Sequence, residues 1–309
     1  MYSEKSNLNS LIILRHNYQM SLKKDLTIVF VSFYSKNLIE KPISQINSDI
    51  PIIVVENSRD FKLKDVLEKK YSNVTVIIPD QNTGNGGGAN IGLRYTKSRF
   101  VLYLDVDVNL SSNLVDKLYS HAIKLDDFSI LGPSIEGLNY EDNYYIKKNF
   151  TDKVHIMNFI TGCALFFNMN AMKKIGYFDE NIFLYYEEND LYLRSLKKNY
   201  KIYLIEEAKI KHVGNQSTDL IHKQEVEINR NWHLMWSTFY FHKKHFGLIT
   251  AYKKTFFKLI SASVKFFIFS ILGKNSYKKI YFARMSGIFN AMIGNKSWFR
   301  TNLDKIIDN

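Results

Sequence analysis

Cysteine is nearly absent. Among 309 residues only Cys163 carries a thiol, which excludes a disulfide framework and any cysteine-rich zinc site. Proline is scarce, with four residues, and no internal repeat or low-complexity tract interrupts the chain. Long apolar runs are missing as well. The longest, Leu259 to Leu272, is broken by Lys265 and falls short of the roughly 20 apolar residues that cross a bilayer. The first residues hold a short apolar patch, Leu11 to Leu14, without a basic leader or a small-residue cleavage site. No signal peptide is therefore expected, and a reducing cytoplasmic compartment is the default. What is present is ordinary globular material, 46% hydrophobic and 23% charged. That suits one large domain, or a domain with a sizeable appendage.

Acidic residues are lacking in one region only. Residues 1–219 carry 27 Lys+Arg against 26 Asp+Glu, whereas residues 220–309 carry 15 against 4, so nearly all of the net charge of +12 lies in the last third. Two regions with different partners are expected. The basic third suits either nucleic acid or an anionic membrane surface, and charge alone does not choose between them.

From Leu26 onward the pattern reads as strands alternating with helices. Apolar runs at Leu26 to Val31, Pro51 to Val55, Val74 to Ile78 and Phe100 to Leu104 suit buried parallel strands. Helical stretches are expected over Lys36 to Ile46 and Phe61 to Tyr71, and after a glycine-rich turn through Arg99. Strand-like pieces follow at Met157 to Phe167 and Lys201 to Leu204, around an acidic helical segment. The implied architecture is an α/β fold with right-handed crossovers and an open, mostly parallel sheet. Ligands bind such sheets beyond the carboxyl ends of the strands, where Glu56-Asn57, the glycine turn and Asp105/Asp107 all fall.

Four features could carry chemistry. The turn Asn82 to Asn90 holds four glycines in five positions, which suits either backbone amides approaching an anion or a plain surface loop. It matches neither a GxGxxG fingerprint nor a Walker loop. Asp105 and Asp107, two apart on an extended segment, would point to one side. As paired hard oxygen ligands they suit Mg2+ or Mn2+ held jointly with diphosphate oxygens, or else they form a solvated strand end. Glu187, Glu188 and Asp190 crowd three carboxylates into four residues. Opening a helix would stabilise them by about 0.3–1 kcal/mol each, and Arg194, Lys197 and Lys198 could answer them further along. His212, in the run His212-Val213-Gly214 with Ser217 nearby, is a structural histidine or a third ligand beside the two aspartates.

In this order the motifs resemble the family 2 inverting glycosyltransferases of the GT-A fold, a Rossmann-like nucleotide-diphospho-sugar transferase fold, and especially their bacterial rhamnosyltransferase-like branch. The resemblance covers roughly residues 26–219. VSFYS, beginning at Val31, resembles the family's opening, with Ser35 where Asn is more usual. VVENSRD resembles its second-strand motif, with Glu56 where Asp is usual, then Asn57 and Asp60. QNTGNGGGANIG resembles its Asn-x-Gly loop, and LDVDV its Asp-x-Asp. The most specific match is IGYFDENIFLYYEENDLYLR, although Glu187-Glu188 stands where the family has Glu-Asp.

The resemblance implies a metal-dependent, inverting transfer of a sugar from a nucleotide diphosphate, dTDP-rhamnose being the branch's commonest suggestion, to a hydroxyl of a glycan or lipid-linked acceptor. The donor would be held by Ser32, Glu56, Asn57, Asn82, Gly84, Gly87, Asn90 and Asp105. Asp105, Asp107 and His212 would hold Mg2+ or Mn2+. Glu188 would be the general base, with Glu187 and Asp190 as acidic support. The alternatives are a GT-A-fold protein that binds sugar nucleotides without turnover, and a basic nucleic-acid-binding protein.

We divide the chain into an extension over 1–25, a catalytic domain over 26–219 and a basic helical region over 220–309. Aromatics and lysines interleave along that last region in amphipathic helices, an arrangement for a membrane interface rather than for stacking on bases. We therefore expect no nucleic-acid partner, and a peripheral position on the inner face of the plasma membrane. The competing expectation is a helical cap, with aromatics in the core and lysines merely solvated.

Overall fold

The computed structural model describes residues 22, 24–138, 148–151, 153–212 and 223–300. Almost all of the expected extension 1–25, with its patch Leu11 to Leu14, lies outside the described residues. So do Val213, Gly214, Ser217 and the boundary near Asp219.

The four expected strands form: β1 (Leu26–Ser32), β2 (Ile52–Glu56), β3 (Val74–Ile77) and β4 (Phe100–Leu104). They pair in parallel in the order β3-β2-β1-β4. Both faces of this half-sheet are covered, which is why β2 and β4 are buried at every position and read as continuous apolar runs. The crossovers carry α1 (Lys36–Ser44), α2 (Phe61–Lys70) and α3 (Gly84–Tyr95). Asp60 caps α2, its Oδ1 accepting from Leu63 N at 2.9 Å. Register pairs Ser32 with Glu56 and Phe30 with Leu104, so the carboxyl ends lie along one edge.

Beyond β4 the chain adds β5 (Val108–Leu110), α4 (Leu114–Ala122), β6 (Phe128–Ile135), β7 (Lys148–Asn149), β8 (Val154–Met157), β9 (Ala164–Asn168), α5 (Met169–Ile175), α6 (Glu187–Lys197) and β10 (Lys201–His212). The sheet runs β3-β2-β1-β4-β9-β6-β10-β8-β7, with β5 also on β10. β9 is antiparallel to both of its neighbours, while β6 and β10 are parallel. The stretch Met157 to Phe167, expected to be strand-like, divides between β8 and β9 around residues 158–163, where Gly162 and Thr161 lie.

The glycine-rich turn is not a loop. Gly86, Gly87, Gly88 and Gly92 belong to α3, and only Gly84 at its start has a positive φ, +77°. Each helical glycine costs about 1 kcal/mol relative to alanine. Close packing against the sheet accounts for their presence. A Cβ on Gly92 would lie 2.5 Å from Val29 Cγ1, and one on Gly88 would lie 2.9 Å from Val31 Cγ1. The helix ends at Tyr95, short of Arg99.

The basic region forms α7 (Lys223–Phe246), α8 (Leu248–Ile271) and α9 (Asn275–Met292). Small residues bring α9 onto α7: Ala283, Gly287 and Ala291 are buried, and a Cβ on Gly287 would lie 2.3 Å from Trp232 O. Trp232, Trp236 and Phe239 of α7 fill this core with Ala251 of α8. The expected helical cap with aromatics in its core describes α7 and not α8. Trp232, Trp236, Phe239 and Phe241 of α7 are core, whereas Phe246 and, on α8, Ile249, Phe256, Phe257, Phe267 and Ile271 are exposed. Among the described residues no helix is long and apolar enough to cross a membrane.

Candidate active site

Two cavities flank the segment from Phe183 to Glu188, which leads into α6. The first, about 290 Å3, lies at the carboxyl edge of the parallel strands and is lined by Phe33, Asn57, Asn82, Gly84, Asn85, Asp105 and Asp107, among others. The second, about 780 Å3, includes Phe159, Gly162, Tyr186, Glu188, Phe241 and His242. Tyr185 faces the first cavity and Tyr186 the second, and both hold left-handed backbone at φ 67° and 70°. Such a conformation costs a non-glycine residue about 1–2 kcal/mol. Two in succession, beside Glu187 and Glu188, set strain at the wall between the cavities.

Asp105 and Asp107 converge, though not by the expected route. Residues 106 and 107 form a turn after β4 rather than an extended segment. The turn and the end of β10 bring Asp105, Asp107 and His212 together, with one ligand atom from each lying within 4.8 Å of the others. His212 Nε2 is 3.3 Å from Asp107 Oδ1. Two carboxylate oxygens and an imidazole nitrogen are a donor set that suits Mn2+ or Mg2+, so these residues fit a divalent ion. The electrostatics agree. Burial, together with the charges of Asp107 and Glu188, pushes Asp105 up to about 7. The hydrogen bond to Asp107 raises His212. A cation would relieve the crowding of negative charge.

Tyr103, unremarked in the sequence, connects this group to the acidic helix start. Its hydroxyl lies 2.7 Å from Asn85 Oδ1 and 3.3 Å from Asp105 Oδ1, and Asn85 Nδ2 donates to Glu187 Oε1 at 3.0 Å. Glu187 is buried, and that burial with the neighbouring Glu188 charge holds its pKa well above the usual carboxylate range. Glu188 is raised by burial as well, but its side chain reaches the second cavity, where a Cβ on Gly162 would lie 2.2 Å from its Oε1. Glycine at position 162 makes room for that carboxylate.

Several expected donor residues lie behind the first cavity rather than on it. Ser32 and Glu56 are fully buried and line neither cavity. Glu56 Oε1 accepts from Ser58 N at 2.7 Å and from the Ser58 hydroxyl, holding the turn after β2. Gly87 faces Thr83, a Cβ there meeting Thr83 Cβ at 3.0 Å. Asn90 clips α3 to the chain before α6: its Oδ1 accepts from Phe178 N, and its Nδ2 donates to Phe178 O, each at 3.0 Å. Asn57 and Asn82 do line the cavity, and both also fix the start of α3. Asn57 Nδ2 donates to Gly84 O at 3.0 Å, and Asn82 Oδ1 accepts from Gly84 N at 2.9 Å.

Asp190 lines neither cavity. It is fully buried, with its carboxylate turned to Arg194, Lys244 and His245 at 2.8, 2.5 and 2.7 Å. Its carboxylate is paired by α7 and by its own helix, facing away from both cavities. Residues missed in the sequence include Asn229 and Arg230 of α7, which close the first cavity. The excess of positive charge after residue 219 is a signal for Arg230, and Asn229 has none in the sequence. Phe183 joins them there, stacked on His233 at 4.5 Å and covered by the Arg300 guanidinium at 3.7 Å.

Residues 34–191, half of the chain, match the profile of glycosyl transferase family 2. The chain belongs to that family. The enzyme is a glycosyltransferase that uses a nucleotide-sugar donor, and the first cavity lies at the strand edge where a sheet of this kind receives its ligand. The low-salt glycan biosynthesis hexosyltransferase Agl10 of Haloferax volcanii is 24% identical over 69% of this chain and 71% of its own. The dTDP-rhamnosyl transferase RfbF of Shigella flexneri is 24% identical over 69% of this chain and 78% of its own. In fold, the glycosyltransferase is similar to the mannosyltransferase PcManGT of Pyrobaculum calidifontis, solved with GDP-Man and Mn2+. The TM-score is 0.54 at 10% identity, over 93% of this chain and 96% of that one.

Proposed function

We propose that this glycosyltransferase is metal-dependent and inverting, with the donor in the first cavity and the acceptor hydroxyl in the second. The observation that carries the reading is the opposition of two groups across residues 185–187: the Asp105, Asp107 and His212 set on one side, Glu188 on the other. When bound, a divalent ion supplies electrostatic stabilisation to the departing diphosphate. Arg230 and the Asn57 and Asn82 side chains are in position to bind and orient the nucleotide diphosphate. Glu188 takes the proton of the acceptor hydroxyl as that oxygen bonds to the anomeric carbon. The bond from that carbon to the diphosphate breaks on the far face, so configuration inverts. The raised pKa of Glu188 brings it nearer neutrality, which favours a general base. Glu187 accepts from Asn85 Nδ2 at 3.0 Å and so holds Asn85 against the wall of the first cavity.

RfbF makes dTDP-rhamnose the first donor to try, and PcManGT makes Mn2+ the first ion. The acceptor in this reading is a cell-envelope glycan or a lipid-linked saccharide. The exposed apolar residues of α8, with Lys254, Lys258 and Lys265 beside them, support a peripheral position on an anionic cytoplasmic membrane face, to which each lysine contributes about 1 kcal/mol. Glu188→Gln tests the core of the reading. Turnover should fall about 10²–10⁴-fold, while Mn2+-dependent nucleotide binding persists. Wild-type turnover in that variant would place the base elsewhere.

A further inference from the structure

The second cavity is lined by two lysines that proton abstraction does not explain. Lys254 and Lys258 of α8 line it together with Glu188. They stand four apart, on one face of the helix. Both are exposed, and among the described residues neither has a salt bridge. Aromatic side chains (Phe159, Tyr192, Phe241) line the same cavity. A neutral sugar hydroxyl suits Glu188, whereas two adjacent ammonium groups call for an anion with several oxygens.

The helix carrying these lysines has three sectors. Ala251, Thr255 and Ala262 are buried against the protein. Phe257, Val264 and Ile268 recur at helical spacing and are 46–76% exposed. Lys254, Lys258 and Lys265 occupy the strip beside them. The anion site and the apolar strip are thus continuous along one helix.

We propose that Lys254 and Lys258 form a phosphate subsite for the acceptor, and that the acceptor is a saccharide carried on a lipid through a phosphate or diphosphate. In this arrangement the sugar hydroxyl reaches Glu188, the phosphate oxygens lie between the two ammonium groups, and the lipid leaves along the apolar strip of α8. The inference rests on the second cavity being the acceptor cavity, and it adds the chemical class of what enters it.

The test is calorimetric titration of the full chain in EDTA, so that no metal at Asp105 and Asp107 recruits the probe. Farnesyl diphosphate is the probe, compared with inorganic diphosphate and with farnesol. Farnesyl diphosphate should bind at least about tenfold more tightly than either comparison compound, and K254Q/K258Q should weaken it by about tenfold or more for each lysine. Unchanged thermal unfolding and Mn2+–nucleotide affinity in the double variant report an intact fold. Equal binding of the probe by wild type and double variant would overturn the subsite. Equally tight inorganic diphosphate would overturn the lipid part, leaving a soluble phosphorylated acceptor. Neither result touches the Glu188→Gln measurement. A failure of Glu188→Gln to slow turnover would in turn leave the probe affinities as measured, so the two readings fail separately.

Discussion

Asp190 offers the sharpest separation between the stability of this enzyme and its chemistry. Its carboxylate is fully buried and meets Arg194 Nε at 2.8 Å, Lys244 Nζ at 2.5 Å and His245 Nε2 at 2.7 Å. Lys244 and His245 belong to the last turn of α7, so this carboxylate fastens the C-terminal helices to α6. In Asp190→Asn one of the two oxygens becomes an NH2, and a donor then faces either Arg194 or the Lys244–His245 side. Removing one member of a buried ionic group costs about 3–5 kcal/mol. Lys244 is partly exposed and also reaches Asp179 Oδ2 at 2.6 Å, which offers it an alternative and favours the lower end, about 3 kcal/mol. With an unfolding entropy of about 2 cal/mol/K per residue, that lowers Tm by about 5 °C if the chain unfolds as one unit.

Urea unfolding followed by tryptophan fluorescence suits the question, because all three tryptophans, Trp232, Trp236 and Trp298, lie in the C-terminal region being released. The pH dependence carries a second signature. The hydrogen bonds from Lys244, His245 and Arg194, with the Arg194 charge, outweigh burial and lower the pKa of Asp190. Its contribution is then fully present above the ordinary aspartate range, near 4, and is lost as pH falls through the lower folded value. The variant should lack that acid-side loss. A stability change below about 1 kcal/mol, or undiminished stability with a hundredfold loss of turnover, would refute the structural role and return Asp190 to the chemistry.

Gly162→Ala places a methyl 2.2 Å from Glu188 Oε1. The carboxylate must swing aside, and activity should fall about 10²-fold with little change in Tm; full activity would mean that Glu188 works from a different position during catalysis. Mn2+ affinity, read by electron paramagnetic resonance, should weaken about tenfold for each pH unit below 7, because Asp105, held near 7 by burial and its acidic neighbours, then binds a proton that competes with the ion. A flat profile between pH 8 and 6 would remove Asp105 from the ligand set.

The parallel half of the sheet was legible because strands buried on both faces leave continuous apolar runs, as at Ile52 to Val55 and Phe100 to Leu104. The location of the metal-capable group was legible for a similar reason: the residues after β4 fall at the edge where ligands collect. The route was not, since Asp105 and Asp107 converge through a turn, which spacing alone does not distinguish from an extended segment. The glycine-rich stretch misled in the other direction. Glycine signals freedom in the sequence, but Gly88 and Gly92 are fixed by the closeness of Val31 and Val29, partners some sixty residues away.

The same limit explains why carboxylates separated by one or two residues have different occupations. Glu187, Glu188 and Asp190 were one acidic cluster in the sequence, and α6 turns them in three directions. Glu187 points to Asn85, Glu188 to the second cavity, and Asp190 to α7. Helical rotation of about 100° per residue sends neighbours to different environments, but which face meets solvent, cavity or helix is set by elements distant in the chain. For Asp190 the deciding partners are Lys244 and His245, more than fifty residues downstream. The basic third, read as an appendage with partners of its own, is therefore part of the machinery that sorts these acids. Arg230 closes the first cavity, Lys244 and His245 pair with the buried Asp190, and Phe241 and His242 wall the cavity that Glu188 lines.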